Sequence, residues 1–143
     1  MITKFEILLS EGLGDIKFGM SKEKVIEVCG VPDDEEIIDE SDVFFTDIFH
    51  YLDDTVNFFF EYQFSSVLSN IEVSNEESTL FGEKIFSLQE EKIIELMRSN
   101  DYNEMEKENE SWGEKRITFD NGLVDFYFEK DKLVSVSWGV TDI

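Results

Sequence analysis

The chain of 143 residues is poor in cysteine, proline, histidine and basic residues. A single cysteine, Cys29, excludes an intrachain disulfide. A single histidine, His50, excludes the usual zinc sites, which are built from several His and Cys ligands. No apolar run approaches the roughly 20 residues that cross a membrane as a helix, and the N-terminal segment lacks the apolar core of a signal peptide. We therefore expect a cytoplasmic protein with no contact to a membrane.

The shortage of basic residues produces a large negative charge. Twelve lysines and arginines stand against 34 aspartates and glutamates, which gives a net charge of −22. Such a charge repels nucleic acid and anionic membranes, and it attracts cationic partners over long distances. Apolar residues nevertheless make up 41% of the chain, and fourteen of them are phenylalanines. This composition predicts a folded domain with a substantial core.

No motif in the sequence predicts catalysis or a cofactor. The acidic run from Asp33 to Asp42 lacks the Asp-x-Asp-x-Asp-Gly spacing of a calcium loop, and its charge favours a solvated connector. The glycines do not form a phosphate-binding loop. Cys29 lies on the apolar side of a predicted helix, where a small core residue is expected. We therefore predict no catalytic, cofactor-binding or metal-binding residues.

The chain contains an internal repeat. Shifting the sequence by 68 positions aligns residues 14–61 with 82–129 without a gap, and 13 of the 48 aligned pairs are identical. The clearest segment aligns Val56–Glu61 with Val124–Glu129. This pattern predicts a single domain, residues 1–143, that is built from two repeats at about 14–75 and 82–139. The polar segment 74–81 joins them.

Each repeat has the pattern of one helix followed by three strands. Helical spacing of apolar residues predicts helices at about 21–29 and 89–99, the first capped by Ser21 and ended by Gly30 and Pro32. Asn121-Gly122 predicts a tight type I′ hairpin. The predicted strands lie near 43–51, 55–62 and 67–73 in repeat one, and near 111–119, 123–129 and 133–139 in repeat two. The predicted fold is therefore α+β, with two helix-plus-three-strand repeats in one curved antiparallel sheet and helices on one face.

The alternation of side chains along the strands separates a core face from an open face. The predicted core side chains are Val56, Phe58, Phe60, Val124, Phe126 and Phe128, with Phe49, Tyr51, Ile71, Val73, Ile117, Phe119, Val136 and Trp138 as their neighbours. Aromatic residues also fall on the open face, where no helix is expected to cover them. Exposed aromatics often anchor protein interfaces, although a loop or a dimer partner would cover them equally well.

One stretch resembles a known small α+β module. The residues Gly19-Met20-Ser21, Val25 and Gly30-x-Pro32 are similar to the opening of the module found in the small lipoprotein of the outer-membrane β-barrel assembly machine. In tandem, the same module forms the β-lactamase inhibitor proteins. The resemblance implies a concave sheet that grips another protein. With this expected sheet and its acidity, the chain also resembles cytoplasmic immunity proteins of bacterial toxin systems.

These observations favour a non-catalytic acidic binding protein, specifically an immunity or inhibitor protein that neutralises a basic bacterial toxin such as a nuclease. The expected partner is a basic toxin domain, not nucleic acid or membrane, and the expected state is a monomer or weak homodimer. A nucleic-acid mimic that blocks a DNA-binding protein, or less favoured a carboxylate-dependent hydrolase, stays open as an alternative. The predicted partner-binding residues are Phe44, Phe59, Glu61, Trp112, Asp125, Tyr127 and Glu129.

Overall fold

The computed structural model describes residues 1–39, 45–109 and 113–142. Within these ranges there are two α-helices, α1 (Lys22–Cys29) and α2 (Glu90–Ser99), and the remaining regular structure is mostly β. The strands are β1 (Glu6–Leu8), β2 (Gly12–Leu13), β3 (Ile16–Lys17), β4 (Asp34–Asp39), β5 (Phe45–Tyr51), β6 (Val56–Glu61), β7 (Leu68–Val73), β8 (Thr79–Leu80), β9 (Glu83–Lys84), β10 (Glu106–Asn109), β11 (Glu114–Phe119), β12 (Val124–Glu129) and β13 (Lys132–Gly139).

The strands form two sheets. The larger has eight antiparallel strands in the order β10-β11-β12-β13-β7-β6-β5-β4. Each half of the chain contributes four consecutive strands, and the halves meet where β7 pairs with β13. The smaller sheet has five short strands in the order β3-β2-β1-β8-β9, with a parallel pair between β1 and β8.

The predicted fold of two helix-plus-three-strand repeats in a single sheet is wrong. The described residues form two sheets, and each half of the chain adds a fourth strand, β4 or β10, to the larger one. The acidic residues of β4 favour a solvated connector, and every residue of the strand is in fact exposed. An edge strand without a buried face shows no alternation. The strands of the smaller sheet are only two or three residues long, too short to show any period.

The predicted core face is confirmed. All fourteen side chains expected there are buried, most of them completely. The same core includes apolar residues of the smaller sheet, such as Leu13 and Leu80, and of the helices, such as Val25 and Met97. The indole Nε1 of Trp138 links the two sheets, because it donates to the carbonyl oxygen of Gly12 at 3.1 Å. Position 12 requires glycine, since the φ of Gly12 is +150° and a Cβ there would lie 1.9 Å from the carbonyl oxygen of Ile16.

The helix ends follow the expected chemistry. Ser21 caps α1 by accepting a hydrogen bond from the backbone N–H of Lys24 at 3.1 Å. Gly30 ends the helix with a φ of +87°, and its N–H donates to the carbonyl oxygen of Ile26 at 2.8 Å. Helix α2 begins after Gln89 and is longer. The type I′ turn expected at Asn121-Gly122 is wrong: the loop forms a 3₁₀ turn, and Leu123 instead has the positive φ, +50°.

Several features recur 68 residues apart. A register shift follows Phe59 in β6 and Tyr127 in β12. The first residue of each helix pairs with a residue on the neighbouring strand, but with the charges exchanged. Lys22 lies 2.6 Å from Asp47 in the first half, and Glu90 lies 2.8 Å from Lys115 in the second. The outermost strands depart from this spacing, because the ladder position of Asp34, opposite His50, is taken by Glu106, opposite Thr118.

Candidate partner-binding face

The open face of the eight-stranded sheet carries a continuous polar row. One residue from each strand faces outward along this row, and neighbours in it are direct partners across the sheet. The row runs Asp34, His50, Asn57, Glu72, Ser137, Asp125, Thr118 and Glu106. Only the pleat of the strands is needed to place these side chains together, because each pair comes from opposite positions of adjacent strands.

His50 is the centre of the first half of the polar row. Its Nε2 lies 3.1 Å from Oε1 of Glu36. Its Nδ1 lies 2.6 Å from the side-chain amide of Asn57 and 2.9 Å from Oδ1 of Asp54. The imidazole is largely enclosed, with 17% of the side chain exposed. The imidazole therefore sits among carboxylates on the outer surface of the sheet.

The surroundings of His50 favour its charged form. Burial lowers the pKa of this imidazole, but the hydrogen bonds to Asn57 and Glu36 and the charges of Asp54 and Glu36 outweigh burial, so the pKa lies above its usual value. Neighbouring Glu72 also has a raised pKa, because it is partly buried and lies near Asp54, although Asn57 and His50 oppose the shift. Both groups hold a proton more tightly in the folded chain than in the unfolded one.

The raised pKa of His50 predicts a stability that depends on pH. The pKa of a histidine in an unfolded chain is about 6.5. The stabilisation from the protonated ring is fully present below that pH, and it is lost as the pH rises through the higher pKa of the folded state. We expect the free energy of unfolding to fall between mildly acidic and mildly alkaline pH, measured by urea titration.

The His50→Gln variant should lose most of this dependence. His50 is the chain's one histidine, so no other side chain ordinarily titrates in that window. The pKa of Glu72 is also raised, so its titration contributes a slope of the same sign in both proteins. An unchanged slope above pH 6 in His50→Gln would show that the imidazole does not cause it.

The second half of the face is organised around Arg116. Its guanidinium forms an ion pair with Glu108, and it is the direct ladder partner of Tyr127. The hydroxyl of Thr118 donates to Asp125. Partial burial raises the pKa of Tyr127, with the charge of Asp125 adding to the effect, so the phenol stays neutral. An open depression of about 390 Å³ lies at this edge and is lined by Glu106, Lys107, Glu108, Arg116 and Thr118.

The predicted binding residues do not form one cluster. Phe59 and Tyr127 both lie on the open face and are half-buried, but on opposite sides of the polar row. Phe59 and Tyr127 are three strand spacings apart across the sheet and four residues apart along the strand direction. This separation is roughly 20 Å in a flat sheet. Glu61 lies beyond Phe59, where it accepts from the hydroxyl of Ser69 at 3.0 Å.

The other predicted residues are spread in the same way. Asp125 belongs to the polar row, and Glu129 is exposed near the β12–β13 hairpin, opposite Glu114. Phe44 and Trp112 lie outside the described residues. Sequence reasoning missed the partners of His50, because Glu36 and Asp54 were not expected to meet it. The contact with Glu36 depends on β4 being a strand, whereas Asp54 reaches His50 from the turn between β5 and β6.

The dominant property of the open face is its charge. Nine carboxylates of the described strands point to this side, and Asp54 joins them from a turn, against Arg116, Lys132 and the imidazole of His50. The nine are Asp34, Glu36, Glu61, Glu72, Glu106, Glu108, Glu114, Asp125 and Glu129. Such a surface can recognise a cationic partner, and its potential extends into solvent.

The described residues contain no group of three or more His, Cys, Asp or Glu side chains that could hold a metal ion. Neither described helix is long and apolar enough to cross a membrane. Burial raises the pKa of the Cys29 thiol to about 11, which makes a reactive thiolate rare at neutral pH. Comparisons of the chain with protein-family models, with curated proteins and with solved structures give no match.

Proposed function

We propose that this protein is a non-catalytic, acidic protein-binding module: an immunity or inhibitor protein that neutralises a basic bacterial toxin such as a nuclease. The observation that carries the proposal is the open face, where nine carboxylates surround two fixed cations and one histidine. A positively charged enzyme surface would be attracted to this face and covered by it. Blocking the access of substrate requires no catalytic residue.

Electrostatics determines the encounter in this proposal. A net charge of −22 attracts a cationic protein before the two surfaces touch, which raises the association rate. The half-buried aromatics Phe59 and Tyr127 then supply apolar contact area with little rotamer entropy to lose. Basic nucleases fit this requirement, because the positive surface that binds their substrate is the surface that an acidic inhibitor occludes.

A survival assay tests the proposed function. Candidate basic toxin domains, including any that is encoded beside this gene, would be expressed in a bacterial host with and without this chain, and surviving cells would be counted. We expect survival only with the chain, together with a purified complex of the two proteins. If the chain leaves survival unchanged and binds no basic domain, the proposal is wrong. Protection by turnover of the toxin or its substrate, without a stable complex, would instead indicate an enzyme.

Association with the toxin domain should depend strongly on salt. Added salt screens the attraction beyond a Debye length of about 8–10 Å. We expect the association rate constant to fall at least about tenfold between dilute buffer and 0.5 M salt, while the dissociation rate changes less. Stopped-flow fluorescence measures both rates. Equal association rates at the two salt concentrations would remove the electrostatic part of the proposal.

A further inference from the structure

Strand β4 leaves one side of the large sheet open. It is the last strand in the order and, among the described residues, pairs with β5 alone, through six consecutive ladder partners from Asp34–His50 to Asp39–Phe45. All six of its residues are exposed. A regular edge strand of this length presents a row of backbone N–H and C=O groups to solvent, and such a row can pair with another strand.

The side chains of β4 oppose pairing with an acidic strand but not with a basic one. Natural edge strands are commonly protected by charged residues, lysine above all, by proline or by a bulge. Here neither lysine nor proline occurs, and two adjacent isoleucines are exposed, Ile37 at 63% and Ile38 at 42%. The remaining residues are acidic on both faces of the strand. Two copies of β4 would set carboxylates against each other, which disfavours a homodimer at this edge.

The opposite edge of the sheet is different. Strand β10 has four residues and includes a lysine. Lys107 is held by Glu90 at 3.0 Å, and Glu108 is paired with Arg116. This edge therefore neutralises much of its own charge.

A buried carboxylate lies directly behind β4. Asp47 is the ladder partner of Ile37 and is only 2% exposed. Its Oδ2 contacts the amine of Lys22 at 2.6 Å, whereas its Oδ1 receives no hydrogen bond from the described residues while nearby carboxyls are ionised. A proton on Glu35 would supply that bond, and the pKa of Glu35 is raised chiefly for this reason. The two carboxyls together therefore carry more negative charge than Lys22 alone neutralises.

We propose that β4 is the docking edge of this protein, and that a basic, extended segment of the partner adds to it as a further strand. This inference rests on the proposed function and names its contact. Lysine or arginine side chains on one face of the added strand would meet Asp34 and Glu36, next to the polar row. Those on the other face would meet Glu35, whose carboxyl contacts Asp47. Apolar residues would cover Ile37 and Ile38.

A pair of synthetic peptides tests the docking mode. The first is a ten-residue peptide in which lysine alternates with valine and threonine. The second carries the same lysines with proline in place of valine, so it keeps the charge but cannot form a strand. We expect the first to bind at least about tenfold more tightly, a difference of about 1.4 kcal/mol, and to protect β4 amides from hydrogen exchange. Equal binding of the two peptides would overturn the proposal.

Two matched variants locate the contact. Asp34→Lys and Glu106→Lys change the net charge equally, at ladder positions that correspond in the two halves. Asp34→Lys should weaken binding of the first peptide at least about tenfold and Glu106→Lys only slightly, since like charges opposed across strands repel. Ile37→Ala, which removes an exposed side chain and keeps the charge, should also weaken it.

Equal losses in the two lysine variants would show that charge alone binds the peptide, which contradicts docking at β4. A loss in Tyr127→Ala without a loss in Asp34→Lys would place the contact at the centre of the sheet. Neutralisation of the toxin in the survival assay could still hold in either case, so failure of this inference is distinguishable from failure of the proposed function.

Discussion

Replacing Phe126 with alanine is expected to lower the free energy of unfolding by about 3–5 kcal/mol. The ring is completely buried in β12 and packs edge-on against Phe119, with ring centres 5.9 Å apart. Its ladder partners Ile117 and Val136 are also buried, so removal of the ring leaves a cavity inside the core. Since typical domains have only about 5–15 kcal/mol to lose, this variant should be close to unfolding.

A urea titration measures this loss, and two further variants control it. Phe58→Ala, at the corresponding position of β6, is also completely buried and should cost a similar amount. Tyr127→Ala, one residue from Phe126 but on the open face, should cost much less because its ring is only half-buried. If Phe126→Ala unfolds at the same urea concentration as the parent, the assignment of the core face is wrong.

The central strands could be predicted because their signal is local. Strict alternation of apolar residues reports a buried face directly, without knowledge of the strand's neighbours. The predicted bounds of β6, β7, β12 and β13 accordingly match the structure to within one residue, and β5 and β11 end at the predicted residues 51 and 119 but begin later than predicted. The helix caps at Ser21 and Gly30 could also be predicted, because they depend on contacts between residues close in sequence.

The edge strands and the smaller sheet could not be predicted because their signals are not local. In β4, tertiary pairing with β5 overrides a composition that favours solvated loop. The 68-residue alignment also pairs Asp34 with Tyr102, whereas the ladder gives its place to Glu106. The turn at Asn121-Gly122 failed for another reason. Gly122 packs against Tyr102, where an added Cβ would lie 3.1 Å from the ring. A glycine is therefore favoured here by close packing and not by the conformation of a type I′ turn.

For the candidate site, the sequence could predict the face but not the distances across it. Alternation places Phe59 and Tyr127 on the same side of the sheet. Their separation depends on the antiparallel pairing of β7 with β13, which joins the last strands of the two halves and places the two rings on opposite sides of the polar row. The cluster around His50 likewise requires β4 to bring Glu36 into reach.

The exchanged ion pairs of the two halves lead to a second large prediction. Replacing Lys22 with methionine should destabilise the protein by about 2–4 kcal/mol, because it leaves the buried Asp47 without its cation. The cost is set below that of a fully buried pair because 29% of the Lys22 side chain is exposed. Lys24→Met is the matched control in the same helix. Its partner Glu27 lies 3.6 Å away on the surface, so this variant should cost less than about 1 kcal/mol.

The double variant Lys22→Glu with Asp47→Lys should recover most of the loss, because the second half of the chain already uses that arrangement in Glu90 and Lys115. A glutamate at the first position of α1 is also favoured by the helix dipole, where a lysine is not. The longer lysine at position 47 can extend its amine toward solvent, as Lys115 does with 29% of its side chain exposed. A double-mutant cycle in urea measures the coupling. If the double variant loses as much unfolding free energy as the two single variants together, the exchanged residues do not interact. The two halves would then hold their helices by different interactions, and the correspondence between the ion pairs would carry no energetic meaning.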